Sequence, residues 1–122
     1  MSFDEKTVRV GVVPKFKLTI DHYAHAVWVD HATGSKGLNL TRMEFRLLDC
    51  MARHPTRMYE RDELIAYCCP DSDTLHRTID SHISNLRSKL DAVGARCMLV
   101  TVWGRGYKLN VETCVYFVSP RD

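Results

Sequence analysis

A chain of 122 residues is the size of one ordinary domain and can bury a real core. Its 45% hydrophobic and 26% charged content is that of a soluble globular protein, and no apolar run approaches the roughly 18 residues of a membrane span. A net charge of +2 and a pI near 8.3 permit an anionic partner without demanding one, so any basic surface must be local.

The first forty residues read as strands. Val8, Val10 and Val12 alternate, as do Phe16, Leu18 and Ile20; Ala26 to Val29 is a third apolar segment, and Lys36 to Leu40 a short fourth. Pro14, Asp21-His22 and the stretch from Gly34 to Gly37 punctuate them as turns, giving an antiparallel meander with one face to be covered.

A helix follows with a full set of start signals. In LTRMEF, Thr41 is the N-cap, Glu44 completes a capping box, and Leu40 and Phe45 occupy the hydrophobic-staple positions. Phe45, Leu47, Leu48 and Met51 continue it, and His54-Pro55 stops it. A shorter helix covers Arg61 to Tyr67 after an extended Met58-Tyr59, and the acidic loop Pro70 to Asp73 follows.

In the third helix Leu75, Ile79, Ile83, Leu86, Leu90 and Val93 recur at spacings of four and three. At about 100° per residue they fall within roughly 40° of one direction. The start lies between Asp73 and Arg77, and Gly94 ends it. Opposite the apolar stripe stand Arg77, Ser81, Ser84 and Ser88, flanked by Asn85 and Asp80, with Thr78, His82, Arg87 and Lys89 nearer the boundary. A solvated helix face usually mixes Glu and Lys. Short hydroxyls and an amide rimmed by cations suit a DNA major groove instead: Asn pairs with adenine, Ser bonds either base type, and Arg, Lys and His reach phosphates. Periodicity alone leaves both readings open.

After a strand at Met98 to Val102 comes TVWGRGYKL, two short alternating segments joined through Gly104-Arg105-Gly106. Glycine tolerates the positive φ of a tight turn. Alone, this is an ordinary hairpin with a solvated arginine. Directly after a recognition helix, it is a wing whose tip arginine can enter the minor groove.

The five cysteines, Cys50, Cys68, Cys69, Cys97 and Cys114, show no C-x-x-C spacing, so neither a disulfide framework nor a zinc site is expected. Cys68-Cys69 beside His76 reads more simply as two small residues near a helix end, with a thiol redox switch as the minor alternative. No nucleophile–base pairing or phosphate-cradling loop emerges, so neither catalysis nor a cofactor is expected. MSFDEKTVRV lacks the apolar segment of a signal peptide, which places the expected protein in the cytoplasm, away from membranes.

Three separated stretches, LTRMEFRLLDCMARHPTRMYERDELI, HRTIDSHISNLRSKL and TVWGRGYKL, resemble in order the OmpR/PhoB-type winged-helix domain of bacterial two-component response regulators, over about Thr7 to Leu109. The resemblance implies an α+β winged helix-turn-helix: a four-stranded antiparallel sheet (1–40), a three-helix core (41–94), a β-hairpin wing (97–109) and here an extra tail (110–122), in a single domain 1–122. It implies a sequence-specific DNA-binding transcription regulator that binds double-stranded DNA as a homodimer.

By motif position, Arg77, Thr78, His82 and Arg87 fall where relatives contact backbone or base edges, and Ser84 and Asn85 where they read bases. Ser81, Ser88 and Lys89 share that face. Thr101, Trp103 and Arg105 fall on the wing, and Tyr107 stands at its base near the phosphates. The loop Cys68, Cys69, Pro70, Asp71, Ser72, Asp73 corresponds to one that many members offer to RNA polymerase, and turn chemistry explains the same residues as a plain connector.

The sequence also departs from the family. Many relatives carry arginine at the position of Trp103 and a small residue at that of Arg105, so either the minor-groove role has moved two residues or Trp103 packs against the helix. Ser84 and Asn85 replace arginines of some members, which should weaken binding by a single copy. Response regulators of this type carry a receiver domain of roughly 120 residues before the effector. None is expected here, which reads as an effector domain separated from its receiver or as a free-standing member. A module that keeps the winged-helix shape but binds a protein partner is the competing function.

Overall fold

The computed structural model describes residues 2–3, 15–31, 34–70, 74–110 and 112–118. In chain order the elements are β1 (Ser2–Phe3), β2 (Phe16–Asp21), β3 (Ala26–His31), β4 (Gly34–Leu38), α1 (Arg42–Ala52), β5 (Tyr59–Glu60), α2 (Arg61–Cys68), α3 (His76–Ala92), a 3-10 turn (Arg96–Met98), β6 (Leu99–Val102), β7 (Gly106–Leu109) and β8 (Thr113–Val118). The chain is α+β, with three α-helices against two sheets among the described residues.

The larger sheet has the order β1-β8-β2-β3-β4. β2 and β3 pair antiparallel with Leu18 opposite Val29 and Ile20 opposite Val27, and alternation buries all four while leaving Trp28 exposed. The expected antiparallel four-stranded meander is corrected by the tail. β8 lies parallel to β2, with Leu18 opposite Val115 and Ile20 opposite Phe117, and β1 pairs antiparallel on its far side. Among the described residues the sheet is therefore five-stranded and mixed. Val115 is fully buried, so the tail completes the core rather than decorating it. The expected fourth strand runs Gly34–Leu38, two residues earlier than its apolar end suggests. The strand expected at Val8 to Val12 lies outside the described residues.

α1 begins as its sequence dictates. The Thr41 hydroxyl accepts from the Glu44 amide at 3.2 Å, and the Glu44 carboxylate accepts from the Thr41 amide at 2.9 Å. Phe45, Leu47, Leu48 and Met51 are buried against the sheet and the other helices. α3 ends in a Schellman motif: Ala95 N–H bonds the Leu90 carbonyl at 2.8 Å, Gly94 N–H bonds that of Asp91 at 3.0 Å, and Gly94 takes φ +79°. Its apolar stripe, Ile79, Ile83, Leu86 and Leu90, is buried. Leu75, expected at the head of that stripe, is instead the N-cap in extended conformation and lies exposed.

Candidate nucleic-acid interface

The smaller sheet, order β5-β7-β6, sets where the β6–β7 hairpin stands relative to α3. The turn is a β-turn from Val102 to Arg105, closed by Arg105 N–H to the Val102 carbonyl at 2.9 Å, with Gly104 at φ +74°. Positive φ at the third position is the requirement of a type II turn, so Gly104 has the role expected of it. Gly106 has a different one. A Cβ there would lie 2.0 Å from the Tyr59 carbonyl oxygen, so only glycine allows β5 to pair with β7. The hairpin is therefore bound to the segment that enters α2.

A polar lock joins the same pieces. Asp80 of α3 accepts from Arg61 Nε at 2.7 Å and from the Tyr107 hydroxyl at 2.6 Å. Burial opposes ionisation of Asp80, but the bonds from Arg61 and Tyr107 together outweigh it and hold its carboxyl below the ordinary range. Burial and the Asp80 charge push Tyr107 up, so it stays a neutral donor. Tyr107, expected near phosphates, is 6% exposed with its hydroxyl committed to Asp80: it positions the hairpin.

Two more residues of the expected face are engaged within the fold. Lys89 Nζ lies 2.6 Å from Glu44, a carboxylate only 2% exposed at the start of α1. Burial acts against the Glu44 charge, but the bonds from Lys89 and Thr41 prevail, and its pKa falls below the usual value. Lys89 thus matches the charge of a buried carboxylate. Arg87 Nη2 donates to Thr101 Oγ1 at 2.8 Å and to the Leu99 carbonyl at 3.3 Å, bracing α3 against β6. The Thr101 hydroxyl accepts that bond and keeps its own hydrogen to donate outward.

The remaining predicted residues form one surface. Arg77, Thr78, Ser81, Ser84, Asn85 and Ser88 are exposed along α3, and His82 is half-buried at its edge. Ser81 donates back to the Arg77 carbonyl at 3.1 Å. The side chains of Arg77, Ser84, Asn85 and Ser88 have no partner among the described residues. At the hairpin tip Trp103 is 89% exposed, so it does not pack against the helix. Arg105 is also exposed, 4.0 Å from Glu60. The exposed amide, hydroxyls and guanidinium of α3, unpaired among the described residues, therefore stand on one helix that Asp80 and Arg87 tie to the hairpin bearing an exposed indole and a second guanidinium.

In the expected polymerase-facing loop, Cys68 is buried, and burial pushes its thiol up to about 12, so it is neither a surface contact nor a reactive thiolate. Cys69 is half-buried with Sγ 3.6 Å from Met43 Sδ, and Pro70 is exposed. Asp71, Ser72 and Asp73 lie outside the described residues. Arg42 and Arg46 of α1, which no sequence pattern singles out, line a groove together with Thr78 and His82. Their only signal is spatial, because α1 precedes α3 by a whole helix and a strand. Among the described residues no helix is long and apolar enough to cross a membrane, and among them no group of three His, Cys, Asp or Glu side chains could hold a metal.

Residues 34–109 match the family described as transcriptional regulatory protein, C terminal. The transcriptional regulatory protein SrrA of Staphylococcus aureus is 35% identical over 111 residues, covering 83% of this chain. The chain spans 42% of the length of that relative. Among solved structures, the DNA-binding domain of the response regulator AdeR, in complex with an intercistronic region, is similar with a TM-score of 0.70 and 40% identity, covering 76% of this chain and 93% of that one. The Klebsiella pneumoniae RstA DNA-binding domain, in complex with the RstA box, gives a TM-score of 0.62 at 25% identity, over 91% of this chain and 96% of that one. The family match takes in α3 and the hairpin just described. The chain belongs to the OmpR/PhoB-type family of DNA-binding C-terminal domains of transcriptional regulatory proteins.

Proposed function

We propose that this chain reads a specific double-stranded DNA site by laying α3 in the major groove, with the β6–β7 hairpin as a wing at the adjacent minor groove. The observation that carries this reading is the division of labour on α3. Side chains that could hold the fold are paired, while Arg77, Ser84 and Asn85 are exposed and have no partner among the described residues. Asn85 is assigned to a base edge, most favourably adenine, with Ser84 beside it. Arg77, Thr78 and His82 are assigned to phosphates.

At the wing, Trp103 takes the position that arginine holds in many relatives. Its exposed ring suits apolar contact with sugars and the groove floor, and Arg105 supplies the positive charge. Thr101 donates its free hydroxyl hydrogen to the backbone. Two copies on half-sites about one helical turn apart would form the complete complex, as helix-turn-helix dimers do. The loop that follows α2, Cys69 and Pro70 with 71–73, is the segment offered to RNA polymerase.

Selection of bound DNA from a randomised pool, repeated at two salt concentrations, tests this. A repeated motif with half-sites near one turn apart is the expected result. Recovery of no motif, with binding lost at moderate salt, would leave only phosphate attraction and would return the exposed tryptophan to a protein partner.

A further inference from the structure

Beside the reading face lies an open groove of about 470 Å³ between the first turns of α1 and the first half of α3. Arg42 and Arg46, one turn apart on α1, form one wall, and Thr78 and His82, one turn apart on α3, form the other. Met43 and Cys69 make an apolar floor. Arg46 is fixed there by donating to the Cys68 carbonyl at 2.9 Å, whereas Arg42 is exposed without a partner among the described residues. The acidic residue in that turn of α1, Glu44, is buried onto Lys89 and the Thr41 cap, so its charge is matched. Cys68, Pro70 and Thr74 close its third side.

We propose that this groove seats a backbone phosphate of bound DNA, with Arg42 as its principal charge and Arg46, Thr78 and His82 as its frame. The inference rests on the DNA reading above and adds an anchor on α1, outside α3 and the hairpin. Thr78 and His82 belong to the helix that presents Asn85. A duplex placed with Asn85 on a base edge carries its flanking strand along their edge of α3, and Arg42 meets that strand from across the groove. The groove is cationic on one wall, hydroxyl- and imidazole-bearing on the other and apolar below, which matches a phosphodiester flanked by sugars.

The test is a fluorescence-anisotropy titration of a selected duplex and a random duplex over a range of salt, using wild type, Arg42→Ala and Arg42→Lys. Arg42→Ala should weaken both duplexes about tenfold at low salt and reduce the slope of log K against log salt by about 0.9, the loss of one phosphate contact. Arg42→Lys should restore most of that slope. Melting should be unchanged, because Arg42 is exposed and has no partner among the described residues. Replacing single phosphates by neutral methylphosphonates should reveal one position that weakens wild type and leaves Arg42→Ala unaffected. Arg42→Ala with the affinity and slope of wild type would overturn the phosphate seat. If Asn85→Ala still loses base preference in the same assay, the DNA reading survives that failure. The same DNA result with lost capture of RNA polymerase would also overturn it and give the groove to a protein. Wild type without salt-dependent binding to either duplex would overturn both readings.

Discussion

The two halves of α3 employ their cations in opposite ways. In the first half Arg77 is exposed and unpaired among the described residues, free to meet a ligand. In the second half Arg87 is bonded to Thr101 and Leu99, and Lys89 to the nearly buried Glu44. On a helical wheel these residues look alike, all on the polar side or at its margin. What separates them is which element happens to lie alongside, and that is decided by chain segments a dozen to forty-five residues away. Positive charge on α3 is therefore not one quantity: part of it stands exposed with no partner among the described residues, and part of it holds the helix in place.

That division can be tested from the fold inwards. The strongest effect should come from Gly106→Val, because even one added carbon would strike the Tyr59 carbonyl. We expect a loss of about 3 kcal/mol in denaturant unfolding, as for overpacking at a site that cannot yield. DNA affinity should fall with it, since the hairpin loses its mount. Gly104→Asn should be far milder, because asparagine tolerates positive φ and a Cβ there meets nothing within 4 Å.

Lys89→Met should come next, costing about 2 kcal/mol by leaving Glu44 with one partner fewer in a buried place. The pH dependence identifies the cause. Glu44 titrates below its ordinary 4.5 in the folded chain, so the stability it contributes is present above about that pH and is lost as pH falls through the folded value. The deficit of Lys89→Met should therefore be full at neutral pH and shrink on acidification in urea melts. Its salt slope on DNA should match wild type. A slope reduced as by loss of a phosphate contact would move Lys89 into the binding set.

Smaller effects belong to the ligand-facing half. Asn85→Ala should leave melting unchanged and cost about 1–3 kcal/mol of discrimination at one base pair, read by selection or competition with singly substituted sites. Arg77→Ala should weaken selected and random duplexes alike and flatten the salt slope by about 0.9, with base preference intact. The contrast between Arg77→Ala and Lys89→Met is the sharpest form of the comparison: one should alter salt dependence and not stability, the other stability and not salt dependence.

Much of this architecture was legible before any coordinates. The α1 start was readable because a capping box is local, needing only Thr41 and Glu44 three residues apart. The buried stripe of α3 was readable because periodicity reports a face. Long-range pairings were not. β8 joins β2 in parallel across the whole length of the chain, and no local pattern distinguishes that from a free tail. Leu75 keeps the apolar period yet lies outside it, because the helix begins one residue later and the N-cap is extended. Gly106 was readable as glycine but not for its reason, a close approach by β5. Within the site, the exposed residues followed from the wheel, whereas the commitments of Lys89, Arg87 and Tyr107 depend on Glu44, Thr101 and Asp80 arriving from elsewhere. The first wall of the groove, Arg42 and Arg46, belongs to a helix that the sequence marks only for its caps and core.

The most direct measurement is a map of backbone amide shifts by NMR as the selected duplex is added to labelled protein. Shifts should concentrate at 77–78, 81–85, 101–105 and the start of α1, with the larger sheet unmoved. Shifts confined to the sheet and β8, with α3 silent, would contradict the DNA reading and place the ligand on the opposite side of the molecule.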